Sequence, residues 1–329
     1  MSREDLLPRP HPSPWLGPPR SAPLADDHAV DLRGDALVGK RVALLVCGGI
    51  AAFKAPLTIR ALRRQGAEVT AFASPESLRY VTADTLAWAA TRPVVTKLSP
   101  QAEHLSGASP FDAYLVAPAT YNTVNKLALG IADTVLTATL ASALGRMERG
   151  DAAVLVAPTM HGTMHNAILT ASLQKLSHLG VRVIPPRDAY GKDNIPDEAV
   201  LVAETCAALP DAPLRGRRVV VVGGPDGLGQ KVAVDLIHRG AAVLHVQLPS
   251  DVPPSPVSDP ILVSDLADAR GRLMLAQGPW DAVIDGTGGG LGEAATMVLS
   301  SEGAHARLDG GPQLTRSGVV SAVRTTLVG

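Results

Sequence analysis

Aromatic residues are scarce in this chain of 329 residues: three Trp, four Tyr and three Phe, or 3% of the sequence. Hydrophobic residues nonetheless make up 46% of it, so its core must be built mainly from Ala, Val and Leu. Cysteine is nearly absent. With only Cys47 and Cys206, no disulfide framework is implied, and a reducing, cytoplasmic compartment is expected. An excess of one charge is also lacking. The formal net charge of -1 gives no electrostatic case for nucleic acid or an anionic membrane surface. No apolar run reaches the roughly 18 residues of a membrane span, so none is expected. The N-terminus lacks the apolar core of a secretory signal.

What the chain does have is proline at the start and regular strand–helix alternation afterwards. Residues 1–37, with "LLPRPHPSPWLGPPRSAPL", carry too much proline for a helix or a sheet interior. They read as a disordered or draped arm, which Trp15 and Leu16 could anchor in a groove. From residue 38, "RVALLVCGG" reads as a strand buried on both faces, and "IAAFKAPLTIRALRRQG" as the helix after it, closed by Gly66. Further strands are expected at 67–74, 112–120, 152–158 and 181–186. Helices are expected around 76–90, from about 120 through about 144, and at 163–179 and 197–208. This alternation predicts an α/β fold with a doubly wound parallel sheet over residues 38–209. A linker follows in "LPDAPLRGRR". Residues 210–329 then restart the pattern as a smaller Rossmann-like unit.

Ligands of an open parallel sheet bind beyond the carboxyl ends of its strands. Three such ends stand out. "CGGIAAFK" (47–54) places Gly48 and Gly49 in a tight turn before a helix start, which suits either a phosphate or a plain glycine turn. "PATYNT" supplies Thr120, Asn122 and Thr123, where a helix cap needs only one such residue. "APTMHGTMH" (157–165) carries Met160, His161, Met164 and His165. The two histidines stand four apart, but Gly162 lies between them and no Glu or Cys ligand is near, so no metal is expected. His104 sits in a polar loop and reads by composition as a surface histidine. "GGPDGLG" (223–229) resembles a dinucleotide turn. The next strand ends at Gln247 rather than an acidic residue, so a glycine turn kept for packing is favoured there.

Taken together, "GGIAAFKA", His104 ahead of "PATYNT", and "PTMHGTMH" resemble the homo-oligomeric flavin-containing cysteine decarboxylases. The match covers residues 40 to about 208, with motif order and spacing kept. The family includes phosphopantothenoylcysteine decarboxylases and peptidyl-cysteine decarboxylases of lantibiotic-type pathways. The resemblance implies a flavodoxin-like domain holding FMN near a subunit contact of a trimer or a multiple of one. It implies a cofactor site of Gly48, Gly49, Ile50, Ser74, Pro118, Ala119, Thr120, Asn122, Thr123 and Asp133, with Thr82 as a further candidate. It implies His104, Asn122 and His161 as catalytic residues, and Met160, His161 and Met164 against the substrate.

The chain departs from the family pattern in several places. His161 and His165 replace the Asn and Trp of the second signature, and Tyr121 stands where Ala is usual. Tyr190 stands where coenzyme A enzymes carry the Cys that helps reduce the enethiol to a saturated thiol. The unit after residue 210 resembles the start of a cysteine-ligating synthetase but lacks that domain's long substrate segment, so it reads as a remnant. These features favour oxidative decarboxylation of a precursor peptide's C-terminal cysteine, stopping at the enethiol used for aminovinyl-cysteine formation. The alternatives are a phosphopantothenoylcysteine decarboxylase and a non-catalytic flavin-binding regulator.

Overall fold

The computed structural model describes residues 27–105, 109–189, 192–224, 226–276, 279–287, 290–291 and 299–307. Tyr190 and most of the proline-rich arm lie outside them. Strand β1 (Arg41–Val46) leads through a 3-10 turn (Ile50–Lys54) into α1 (Ala55–Arg63) and β2 (Glu68–Ala73). Then come α2 (Ala83–Ala90), β3 (Ala113–Ala119), α3 (Tyr121–Leu129), α4 (Val135–Glu148), β4 (Ala153–Pro158), α5 (Ala167–His178) and β5 (Arg182–Val183). The five strands form one parallel sheet in the order β2-β1-β3-β4-β5.

Both faces of this sheet are covered, as the unbroken apolar strands require. Val42, Leu44 and Val46 point into one core with Ile59 and Leu62 of α1 and Leu86 of α2. Their neighbours Ala43 and Leu45 point into the other, with Val124 and Leu127 of α3 and Leu140 of α4. The two-residue period of a strand thus feeds both layers.

Three elements differ from the sequence expectation. The helix expected from about 120 to 144 is two helices. Gly130 closes α3 in the left-handed region at φ 73°, and Thr134 restarts α4 through a capping box with Thr137. The strand expected at 181–186 shrinks to Arg182–Val183, because Pro185 and Pro186 cannot extend the ladder. An antiparallel pair follows instead, β6 (Arg187–Ala189) with β7 (Lys192–Asn194), and then α6 (Glu198–Ala208).

The second sheet contains β8 (Arg218–Gly223), β9 (Ala242–Gln247), β10 (Ile261–Leu262), β11 (Trp280–Asp285) and β12 (Leu299–Arg307), with α7 (Leu228–His238) and α8 (Leu266–Leu275) between strands. It too is parallel, in the order β10-β9-β8-β11-β12, the first five strands of the Rossmann order. The two units meet where α6 packs on α7. Leu209 and Ala212 extend the first core there, and Arg239 bridges Asp235 and Asp35 at 2.9 and 3.1 Å.

Within the second unit, His245 is buried and its Nδ1 lies 3.0 Å from the Ser258 hydroxyl. Burial pushes its pKa down to about 4. The unfolded chain therefore binds a proton, from about pH 6.5 downwards, that the folded chain refuses until about pH 4. Stability from this group is present above that window and lost as pH falls through it, by about 3 kcal/mol at most. Urea midpoints of the second unit's transition are expected to drop between pH 7 and pH 4.5. A midpoint unchanged across that range contradicts the assignment.

Candidate active site

The strand order reverses between β1 and β3, whose following helices leave on opposite faces of the sheet. That divergence opens a crevice at the carboxyl ends of the two strands. A cleft of about 420 Å³ lies there. Its walls include Gly48, Gly49 and Ile50 after β1, Ser74 and Glu76 after β2, and Thr120, Asn122 and Thr123 after β3. Met160 and Met164 close it from the segment after β4.

Two chain starts face this space without side-chain caps. Gly49 precedes the 3-10 turn and makes no side-chain cap. Thr120 holds the cap position of α3 at φ -85° and ψ 159°, yet its hydroxyl caps nothing and stands 3.3 Å from the Thr123 hydroxyl. First-turn N–H groups left this way carry the positive end of the helix dipole and suit an anion such as a phosphate. Gly48 is required by crowding, since a Cβ there would lie 2.3 Å from Cβ of Glu76. Beneath the turn, the buried Cys47 thiol donates to the Thr123 hydroxyl at 3.2 Å, and burial pushes its pKa up.

A second cleft of about 370 Å³ adjoins the first, sharing Gly49, Ile50, Thr159 and Met160. Pro118 and His161 line it with Phe53, Lys54, Arg187, Asp193 and Asn194. His161 is exposed, and its Nδ1 accepts from the Thr163 backbone N–H at 3.2 Å. The same Nδ1 lies 2.9 Å from the Thr163 hydroxyl. The cations of this cleft are tied to acids: Lys54 to Glu198 at 3.1 Å and Arg187 to Asp197 at 3.6 Å. His165 lies 3.3 Å from Asp193 and links the segment after β4 to β7.

The sequence candidates therefore divide. Gly48, Gly49, Ile50, Ser74, Thr120, Asn122, Thr123, Met160 and Met164 share one cleft, and Pro118 and His161 line its neighbour. Ala119 is fully buried in β3, where its carbonyl accepts from the Thr159 backbone N–H. Asp133 lines a third depression with Ser74 and Glu76, and the Lys126 ammonium 2.6 Å away holds its carboxyl below the usual range. Thr82 caps α2, accepting from the Thr85 backbone N–H. His104 lines neither cleft. It sits on a 3-10 turn (Glu103–Leu105) packed against α4, with Nδ1 buried and unpaired among the described residues.

Sequence reasoning missed Glu76 and Arg187, which stand outside every motif, so no signal marked them. Lys54 closes the "CGGIAAFK" motif, but its place on the wall of the second cleft was not expected. Sequence reasoning also left Tyr121 unexplained. Its hydroxyl donates at 3.3 Å to the Asn166 amide oxygen, which itself accepts from Ile168 and Leu169 and caps α5. Tyr121 thus ties the starts of α3 and α5 together at the rim of the cleft.

A family model described as Flavoprotein matches residues 33–209. The chain is 32% identical over 238 residues to the coenzyme A biosynthesis bifunctional protein CoaBC of Thermococcus kodakarensis, covering 66% of this chain and 58% of that protein. It is 29% identical over 280 residues to CoaBC of Bacillus subtilis, covering 75% and 67%. The chain thus spans between about half and two thirds of the length of these curated relatives. Solved structures similar to it include the FMN-dependent cysteine decarboxylase SpaF (22% identity, 50% of this chain, 97% of that one, TM-score 0.43). They also include a mutant PPC decarboxylase complexed with pantothenoylaminoethenethiol (25%, 49%, 93%, TM-score 0.40).

A flavin fits the first cleft. Uncapped N–H groups are available for its phosphate, hydroxyls and an amide for its polar edges, and Ile50, Met160 and Met164 for its ring faces. Gly48→Val is expected to be purified without flavin absorbance while its far-ultraviolet circular dichroism matches the parent. Full flavin occupancy in Gly48→Val would exclude this cleft as the flavin site.

Proposed function

The chain belongs to the flavoprotein family, and we propose that it carries out oxidative decarboxylation of the C-terminal cysteine of a ribosomally made peptide. The flavin is FMN. Held by Gly48, Gly49, Thr120, Asn122 and Thr123, it would supply a hydride acceptor for oxidation of the cysteine Cβ–S unit, with loss of the thiol proton, to the thioaldehyde level from which CO2 can leave to give an enethiolate.

The protein's own residues bind and orient. The His161 imidazole, on the wall of the second cleft, would meet the substrate carboxylate, and Arg187, paired with Asp197, stands on the same wall. Asn122 and Thr120, at the start of α3, hold the flavin side of the junction. The segment carrying Met160 stands between the two clefts and keeps both apolar on that side. His104 is the proposed base, and because it lies outside both clefts it acts across a subunit contact of a homo-oligomer. Its Nδ1, buried without a partner among the described residues, is the atom such a contact would engage.

One observation carries the choice of product. The chain has two thiols, and neither is accessible: Cys47 and Cys206 are each 1% exposed. Burial raises both pKa values, that of Cys206 to about 12. A thiol that assists reduction of an enethiol must reach it and ionise, and neither can. The reaction therefore ends at the enethiol, the product used in peptide pathways. The CoaBC relatives favour a second reading, decarboxylation of phosphopantothenoylcysteine, whose product is a saturated thiol.

Mass spectrometry separates the two. With a Cys-terminal peptide, the product is expected to be lighter by CO2 and two hydrogens. Conversion of phosphopantothenoylcysteine with loss of CO2 alone, and none of the peptide, decides for the second reading. Purified protein without flavin sinks both. His161→Ala is expected to raise KM about 10- to 100-fold, the worth of one hydrogen bond to a charged group, with a smaller change in kcat.

A further inference from the structure

The segment after β4 brings Met160, His161 and Met164 to the clefts, yet residues 161–166 are all exposed. Met160 packs against the core beneath it. A segment with so few buried contacts opens readily unless its ends are held. Both ends are held by the same stretch of chain. Thr159 donates its backbone N–H to the Ala119 carbonyl at 3.0 Å. Asn166 accepts from the Tyr121 hydroxyl at 3.3 Å. The segment thus leaves from Ala119 and returns to Tyr121, a loop with its ends close together. Taking the proposed function as given, we propose that Tyr121 is a positioning residue for the reaction: acting through Asn166, it holds Met160, His161 and Met164 over the junction of the two clefts.

The side chains suit this role. Tyr121 opens α3 beside Asn122, and its ring is partly buried against the same core as Met160. That packing presents the hydroxyl at a fixed point. The Asn166 amide oxygen is fixed as well, because it accepts from the Ile168 and Leu169 N–H groups at 3.1 Å as the cap of α5. Those two donors settle which end of the amide is oxygen, so the Tyr121 hydroxyl is the donor.

A second link between the helices lies one turn further in. The Ser172 hydroxyl donates to Asn125 Oδ1 at 2.6 Å, and Asn125 Nδ2 donates to the Tyr121 carbonyl at 2.9 Å. This link keeps α3 on α5 without the Tyr121 hydroxyl. Loss of the hydroxyl therefore acts on the segment rather than on the helix pair. On the outer side, His165 faces Asp193 at 3.3 Å, a partly exposed pair that adds little. One loop lines both clefts, so a displaced segment moves His161 in the second cleft and Met164 in the first together.

Hydrogen exchange of the flavin-loaded protein without substrate tests this in the parent, Tyr121→Phe, Asn166→Ser and Asn166→Asp. Serine caps α5 but is too short to reach Tyr121, whereas aspartate caps it and keeps the acceptor. Amides of residues 160–165 are expected to exchange about two- to tenfold faster in Tyr121→Phe and Asn166→Ser, the worth of one neutral hydrogen bond. Asn166→Asp is expected to exchange at the parent rate, and α3 and α5 to stay unchanged throughout. With a Cys-terminal peptide, Tyr121→Phe and Asn166→Ser are expected to raise KM by a similar factor while kcat holds. Parent-like exchange at 160–165 in Tyr121→Phe overturns the proposal. Faster exchange spread through α3 and α5 also overturns it, since Tyr121 then only packs the helix pair. A parent that turns over no Cys-terminal peptide overturns the proposed function alone, because exchange is read without substrate and still decides the role of Tyr121.

Discussion

The site depends on the opposite departure of the chain from two adjacent parallel strands. β1 sends α1 to one face of the sheet and β3 sends α3 to the other. Neither helix can then cover the gap between the two strand ends, and the start of each chain segment faces that gap. Gly48, Gly49 and Thr120 owe their relevance to this geometry rather than to their own chemistry. The Cys47–Thr123 hydrogen bond beneath the turn joins the two strand ends and holds the floor of the cleft. Burial makes that thiol a structural donor and keeps it out of redox chemistry.

The second unit shows the same plan, with a side chain of the described residues over the turn. Its strand order also reverses, between β8 and β11, and a glycine turn follows β8. There the Gln247 amide donates to the Gly224 carbonyl at 2.7 Å and to the Leu248 carbonyl at 2.9 Å, occupying the space above the turn. A Cβ on Gly224 would lie 2.3 Å from the Gly286 carbonyl oxygen, and one on Gly229 2.4 Å from the Gly223 Cα. These glycines let backbones touch, as a glycine turn kept for packing does. An acidic residue at position 247 would meet those carbonyls with charge instead of donors. What the next strand ends in thus sets which groups stand above a glycine turn at a reversal of strand order.

Much of the first unit was legible because its strands are buried on both faces. "RVALLV" and "AAVLVAP" have no polar interruption and can hardly be anything else. The residues that share the first cleft were legible for a related reason: they lie at strand ends, where short motifs sit. What stayed hidden depends on contacts between distant segments. Tyr121 takes its meaning from Asn166, and Lys54 from Glu198. Arg187 follows two prolines that had read as the end of a strand, and the pair of short strands it opens has no hydrophobic alternation to betray it. The break between α3 and α4 was in principle readable, since Gly130 before Thr134 is a stop followed by a start. The apolar residues on either side hid it.

Charge pairing sets how a carboxylate can enter the second cleft. Lys54 and Arg187 each already face a carboxylate, and His165 faces Asp193. The wall is therefore close to neutral before substrate arrives, and an incoming carboxylate meets acids as well as cations. These pairs are partly exposed, and exposed pairs are worth only about 0–1 kcal/mol. Exchanging Asp197 for a substrate carboxylate on Arg187 is thus nearly free in either direction and gives little affinity by itself. His161 differs because its Nδ1 is held by a backbone N–H rather than by an acid. Under the proposed function its ring would meet a carboxylate without displacing another acid, so the net gain on substrate binding would fall on this residue. An imidazole in place of the family's amide keeps a polar ring nitrogen on this wall while reshaping it, and under the same proposal that would alter which carboxylate-bearing substrate fits.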